Sequence, residues 1–569
     1  MDNNSFTFPF MFAIIIVFFA SSLASEKAPY STFASDASQA PVESSYDYII
    51  IGGGTSGCAL AATLSQVSKV LLLERGDLPY GIPSVNTVNG FLETLADLGP
   101  TSPSQTFVST DGVINQRARV LGGGSALNAG FFTRASAEFV KKAGWDPHLV
   151  NESYEWVEKK VAFEPEVMAW QQAVKDGLLE AGILPDNGFT YEDIYGTKVG
   201  GSIFDRNGKR HTAADFLEYA DPRNITVYLN ATVHQILFKP DSPNELKAQG
   251  VLYVDMNGES HLAVLNDGSM MNEVILSAGT LGSPQLLMLS GIGPSEHLMD
   301  HGIKVLLDQP MIGQGLSDNP MNLVFVASRK RIEISLIEVV GITRFGSFIE
   351  AASTHINLPL LKKVGSKFGL FANKTTSFDK IKSSIEQRFN LDLSGLNVGL
   401  ILEKVMGPLS FGSLELVTVN PDDNPKVTFN YFDDPRDLQT CVEGLETIIK
   451  VLESKPVSEF RVPLLSVQDL FALVLALPLN FRPRHVNALF DLEQYCKDTV
   501  MTIWHYHGGC QVDRVVDHDY KVIGVGALRV VDSSTLLSSP GTNPQATMMM
   551  LGRYMGIKML GERLAIRRK

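Results

Sequence analysis

Two stretches near the C-terminus carry side chains able to move a proton and to hold an oxygen. The first runs Ile503-Trp504-His505-Tyr506-His507-Gly508-Gly509-Cys510 and the second Pro540-Gly541-Thr542-Asn543-Pro544-Gln545. An unperturbed imidazole titrates near pH ~6.5 and is largely neutral above it, so either histidine could serve as a general base. The carboxamide of Asn543 cannot take a proton, but its N–H can donate to an oxygen that is gaining negative charge. Each residue also has a plainer reading. A lone histidine usually makes structural hydrogen bonds, and an asparagine ahead of a proline commonly closes an Asx turn. In a strand the two histidines would share a face, so periodicity does not choose between them.

A third stretch offers a place for a cofactor. Tyr46-Asp47-Tyr48-Ile49-Ile50-Ile51 reads as a buried strand, Gly52-Gly53-Gly54-Thr55-Ser56-Gly57 as a tight turn, and the run from Cys58 to Leu64 as a helix. Gly52 permits the turn, Gly54 lets backbone amides approach a pyrophosphate, and Gly57 lets the helix lie close to the strand. The positive helix N-terminus then faces the phosphates. A second apolar strand, from Lys69 to Leu73, ends at Glu74. Glu74 is 17 residues past Gly57 (74 − 57), where a carboxylate accepts a ribose 2′-hydroxyl and disfavours a 2′-phosphate. The order of strand, turn, helix and acid predicts an adenine-dinucleotide site without separating NAD from FAD.

The chain that must position these groups has 569 residues and 44% hydrophobic content, enough for a sizeable core in two structural units. Its net charge of −14 would repel phosphate backbones, which argues against a nucleic-acid partner. Residues 8–20 are apolar and are followed by Ser22-Leu23-Ala24, the pattern of a secretory signal peptide over residues 1–24. The apolar run is shorter than the roughly 20 residues of a membrane span, so no stable anchor is expected and the location is secreted and extracellular. The sequons at Asn151, Asn224, Asn230 and Asn373 fit a glycoprotein. Four cysteines allow three full pairings. Cys441 with Cys496 is favoured because Cys58 and Cys510 sit inside the motifs, where they are expected as buried free thiols.

Two further stretches carry a family resemblance. Ala118-Arg119-Val120-Leu121-Gly122-Gly123-Gly124-Ser125-Ala126-Leu127-Asn128 continues through Ala129 to Ala135, and the second stretch spans 279–293. With Leu528-Arg529-Val530-Val531-Asp532 and the C-terminal stretches above, they resemble the signatures and active-site end of the glucose-methanol-choline (GMC) oxidoreductases, from about Tyr46 to the C-terminus. The resemblance implies FAD and oxidation of an alcohol. It implies cofactor contacts at Gly52, Gly54, Thr55, Ser56, Gly57 and Glu74, and at Arg119, Leu121, Gly123, Ser125, Asn128 and Ala129. It adds Trp504, His505, Asp532, Thr542, Asn543 and Gln545; no metal site is assigned. Leu127 stands where some members tether the flavin through a histidine, so FAD is expected to be non-covalent. The family's His-x-x-Gly pattern is met by His505 through Gly508, whereas His507 would need glycine at Cys510. His505 is thus the expected base, with His507 second, and Asn543 fills the family's second catalytic position. In that arrangement His505 takes the hydroxyl proton while the flavin N5 takes the hydride.

The fold implied is an α/β composite. A Rossmann-type FAD-binding domain is assembled from 46–140, 225–325 and 500–569, and a substrate-binding domain with an antiparallel sheet and helices from 141–224 and 326–499. The reacting carbon lies at their junction, and a monomer is expected. Residues 154–163, 211–219 and 541–550 resemble the plant HOTHEAD-like branch of the family, which implies a long-chain ω-hydroxy fatty acid as substrate. The apolar run 470–477 would suit a lipid channel but reads first as core. Two other readings stand beside oxidation. Plant mandelonitrile lyases share the run 504–509 and the FAD site, but are marked by a second histidine in place of Asn543 and a tyrosine in place of Ile503. A catalytically silent FAD protein in extracellular signalling or adhesion is the third, and the intact pair of His505 and Asn543 weighs against it.

Overall fold

The computed structural model describes residues 29–567 apart from 98, 243–244, 268, 329, 356–361, 363–377, 390–391 and 393–395. The signal-peptide segment 1–24 and Asn373 lie outside the described residues. Short aliphatic runs build one parallel sheet in the order Ala34–Asp36, Ile225–Leu229, Val70–Leu73, Tyr48–Ile51, Glu273–Leu276 and Leu528–Val530. Tyr48–Ile51, Val70–Leu73 and Glu273–Leu276 are buried at every position, which is why the first two read as continuous apolar runs rather than as alternating ones. The helix Gly57–Leu64 follows the first of these and is wholly buried. The C-terminal helix Gln545–Arg567 packs over it.

The helix Pro147–Val161 starts where Asp146 accepts from the amides of His148 and Leu149 and where proline fits the first turn. It lies in the stretch 141–224, yet its buried Val150, Tyr154, Val157 and Val161 share a core with Ala59 and Met549, on the parallel-sheet side of the molecule.

A second sheet of seven strands runs Met501–Thr502, Pro320–Ser328, Asn397–Val405, Ser347–His355, Val339–Ile342, Gly196–Val199 and Asp186–Phe189. Its pairings are antiparallel except the last, which is parallel. Together the two sheets and their helices form the α/β composite. The register sets Lys404 between Met321 on one neighbouring strand and Phe348 on the other. The helix Val467–Ala476 is closed at its start by reciprocal bonds between Ser466 and Asp469, and Leu470 to Val474 are buried as core. Among the described residues, no helix is long and apolar enough to cross a membrane.

Cys441, on the helix Pro435–Glu453, is bonded to Cys496, on the helix Leu492–Thr499, while Cys58 and Cys510 are free and buried. The bridge closes a separation of 55 residues. The chain-entropy relation then gives a stability contribution of about 4 kcal/mol. Denaturant unfolding of the Cys441→Ser, Cys496→Ser double variant is expected to show a loss of that order, and a loss below ~1 kcal/mol would show that the bridge constrains little.

Candidate active site

The glycine turn is shaped by contacts that leave no room for side chains. Gly52 has φ +104° and donates to the Leu73 carbonyl at 2.8 Å, and a Cβ on it would meet the Ser277 carbonyl oxygen at 2.4 Å. Glu74 folds back on the turn, accepting from Gly53 N at 2.9 Å and from Gly76 N at 2.8 Å. Burial raises its carboxyl above the usual range. A carboxylate has lone pairs beyond the two used here, so a ribose hydroxyl can still be accepted.

One cavity brings most of the sequence-derived positions together. Gly52, Gly54, Thr55, Ser56 and Glu74 line it with Gly123, Asn128 and Ala129, and so do Trp504, His505, Asp532, Asn543 and Gln545. Five expected positions stand behind the wall. Gly57 packs under the Gly52 carbonyl, Leu121 is fully buried, and Arg119 donates to the carbonyls of Pro100 and Ser102. Ser125 donates to the Gly122 carbonyl and accepts from Ala213 N, and Thr542 donates to Asn543. Leu127 also lines the cavity and has no nitrogen with which to bond a flavin.

The wall is held by polar contacts over long sequence distances. Asn128 Nδ2 donates to Gln545 Oε1 at 2.8 Å, and Gln545 Nε2 donates to the Phe131 carbonyl at 2.6 Å. Behind them the guanidinium of Arg210 donates to the carbonyls of Val85, Ser125 and Asn128, and burial lowers it to about 9. Asp532 accepts from Gly279 N, from Ser283 Oγ and from Ser534 N, which ties the last strand of the parallel sheet to the start of the helix Gly279–Leu289. Burial raises its carboxyl.

His505 is presented by a strained turn. Trp504 has φ +61°, a left-handed conformation that costs a bulky residue about 1–2 kcal/mol. Its N–H donates to Thr502 Oγ1 at 2.7 Å, and the His505 N–H donates to Asp318 Oδ1 at 2.8 Å. Asp318 also accepts from Tyr431 OH at 2.6 Å, and burial pushes its carboxyl up to about 7. The His505 imidazole lies well below its ordinary value, first through burial and then through the positive charge of Lys404 and the neighbouring His507. His507 is absent from the cavity wall. It exchanges backbone bonds with Ser317, its Nδ1 lies 3.1 Å from the His505 carbonyl oxygen, and burial pushes it down to about 4. Its bonds are to the backbone of the turn and of Ser317.

Asn543 faces the cavity with its amide fixed. Its Oδ1 accepts from Lys404 Nζ at 3.0 Å and from Thr542 Oγ1 at 2.7 Å. Lys404 is wholly buried and paired with Glu350 at 2.5 Å. Sequence reasoning did not reach Lys404, Glu350, Asp318 or Arg210. The signal for the first was present: Glu403-Lys404 interrupts an apolar strand, and a charge buried there must be paired. The residues fit a flavin dinucleotide. Among the described residues, Trp504 Nε1 and His505 Nδ1 are buried polar atoms without a hydrogen-bond partner, on residues that line the cavity. At Gly124 and Gly279, both in the wall, a Cβ would meet nothing within 4 Å.

Sequence patterns described as GMC oxidoreductase match residues 46–321 and 408–552. The chain is 49% identical to Protein HOTHEAD of Arabidopsis thaliana, covering 92% of this chain and 89% of that one. It is 47% identical to an (R)-mandelonitrile lyase-like protein of the same plant, covering 94% and 93%. It is 39% identical to Sinalpyl alcohol oxidase Nec3 of Nesocodon mauritianus, covering 99% and 98%. Among solved structures it is similar to a formate oxidase of Aspergillus oryzae, with a TM-score of 0.70 at 20% identity, covering 92% of this chain and 99% of the other.

Proposed function

The chain belongs to the GMC oxidoreductase family, and from that premise we propose that it oxidises the hydroxyl-bearing carbon of an alcohol with His505 as base and Asn543 as oxygen anchor. Membership makes it an FAD-dependent alcohol oxidoreductase acting on a small molecule. The glycine turn, Glu74 and the first-signature loop would hold FAD without a covalent link, and the flavin when bound would supply the hydride acceptor at N5. The neutral imidazole of His505 takes the hydroxyl proton. The Asn543 amide donates to the substrate oxygen as negative charge grows on it, and keeps the carbon in one place. The observation that carries this reading is that one cavity is lined by the glycine turn, His505 and Asn543 together.

The finer proposals are a secreted, glycosylated monomer and a long-chain ω-hydroxy fatty acid as substrate, supported by the N-terminal pattern, the sequons and the likeness to HOTHEAD. Anaerobic mixing of the purified flavoprotein with fatty, aromatic and sugar alcohols tests the reading through loss of flavin absorbance. ω-Hydroxypalmitic acid is expected to bleach it fastest. Mandelonitrile is assayed alongside. An amide at position 543 can neither take up nor give up a proton, so benzaldehyde release is expected to be negligible; fast release without bleaching would establish a lyase instead.

A depressed His505 also fixes the pH dependence. Burial disfavours the imidazolium, so the base stays neutral as pH falls through ~6.5, where an exposed imidazole is half protonated. The titratable groups around it are Lys404, His507 and Asp318, and burial pushes the Asp318 carboxyl up to about 7. In Asp318→Asn, which keeps an acceptor for the His505 N–H, kcat/KM for alcohol is expected to stay level from pH 8 to below ~6.5. A fall centred at or above ~6.5 in that variant would remove His505 as a buried neutral base.

A further inference from the structure

We propose that Lys404, anchored by Glu350, is a positioning residue that fixes which end of the Asn543 amide meets the substrate. A side-chain amide can turn over, exchanging a donor for an acceptor, and its outline hardly distinguishes the two. Here the choice is forced by chemistry. A lysine ammonium has only donors, so the atom 3.0 Å from Lys404 Nζ must be the oxygen of Asn543. Thr542 Oγ1 donates to the same oxygen at 2.7 Å. With Oδ1 doubly engaged on the protein side, Nδ2 is left to the cavity, as a donor aimed at the substrate oxygen.

Lys404 is itself held by two partners. Its Nζ lies 2.5 Å from Glu350 Oε1 and 4.5 Å from the centroid of the Phe348 ring, and both partners come from the neighbouring strand Ser347–His355. Lysine and glutamate side chains are 0% exposed, so neither can swing to solvent. The seven-stranded sheet thus reaches across to set a side chain on the loop before the C-terminal helix. This rests on the reading that the alcohol oxygen binds at Asn543, and the test separates the two.

The test is a double-mutant cycle on the holoenzyme. Two changes are made in wild type and in Asn543→Ala: Lys404→Met with Glu350→Gln, which removes both buried charges together, and separately Thr542→Val, which leaves the ion pair intact. Two quantities are read. One is the rate of flavin bleaching by ω-hydroxypalmitic acid and benzyl alcohol. The other is the dissociation constant of 2-phenyl-2-propanol, which has no carbinol hydrogen to lose, from its perturbation of the flavin spectrum. The paired charge removal is expected to cost roughly tenfold in bleaching and in analogue affinity, and Thr542→Val severalfold, the scale of one mis-set hydrogen bond. In Asn543→Ala neither change is expected to cost more than about twofold further. Equal losses in both backgrounds would overturn the proposal, because Lys404 would then act independently of Asn543. So would a crystal structure of the holoenzyme with Lys404 Nζ beyond hydrogen-bond reach of Asn543, which decides the matter even if the charge-free pair does not fold. If Asn543→Ala alone leaves both quantities unchanged, the oxygen-anchor reading fails, and the positioning role with it.

Discussion

The His505→Ala protein is expected to stay yellow and to lose alcohol-dependent bleaching by roughly 10² or more, the usual scale of a general base. The two halves of that expectation have separate structural causes. What shapes the loop at residue 505 is backbone: the His505 N–H on Asp318, the Trp504 N–H on Thr502, and the left-handed Trp504. Alanine keeps all three. The hydrogen bonds that Glu74 makes to the glycine turn and Asp532 makes to Gly279 do not run through the imidazole. What disappears is the imidazole that shares the cavity wall with Asn543 and is proposed to take the proton from the substrate oxygen. His507 cannot replace it, because it lies behind the wall and makes its bonds to the turn. Anaerobic stopped-flow reduction of the His505→Ala and His507→Ala proteins measures the difference. Reduction of His505→Ala within about threefold of wild type would end its assignment as the base.

Sequence patterning reached the cofactor half of the site more fully than the catalytic half, for a physical reason. Residues 48–74 are a local unit: strand, turn, helix and strand follow one another, each with its own periodicity or spacing, and the roles of Gly52, Gly57 and Glu74 depend on neighbours within that unit and on Ser277. His505 and Asn543 came from resemblance, since nothing in their spacing requires that they meet. Their meeting depends on pairings across most of the chain. Asp318 holds residue 505, Lys404 holds residue 543, and Arg210 holds the loop at 125–128. Such contacts follow from sheet register, and a one-residue slip in the strand Asn397–Val405 would turn Lys404 away and put Glu403 in its place. The helix Pro147–Val161 shows the same limit. Its amphipathic pattern predicts a buried face but not which layer covers it, and it sits against the dinucleotide side rather than the seven-stranded sheet.

The glycine turn yields the second large effect, and two substitutions within it separate cofactor space from fold. At Gly54 a Cβ would make only ordinary contacts, 3.8 Å from Gly123 Cα and from the Ser277 carbonyl oxygen. The protein alone therefore tolerates alanine there, while the added methyl stands in the wall where a pyrophosphate must approach backbone amides. At Gly57 the Cβ would lie 2.0 Å from the Gly52 carbonyl oxygen, a separation no packing allows, so the helix Gly57–Leu64 must move off its strand. Gly54→Ala is expected to fold with an unchanged far-ultraviolet spectrum and to weaken FAD by roughly 10- to 100-fold, the equivalent of ~1–3 kcal/mol of overpacking. Gly57→Ala is expected to be colourless and to lose stability of the folded chain as well, because the same backbone shift breaks the turn and unseats a helix buried at all of its positions. Flavin absorbance, FAD titration into the stripped protein and denaturant midpoints distinguish the cases. A Gly57→Ala protein that is both yellow and as stable as wild type would mean that the turn does not hold the cofactor as described. A Gly54→Ala protein with unchanged FAD affinity would place the pyrophosphate away from that amide.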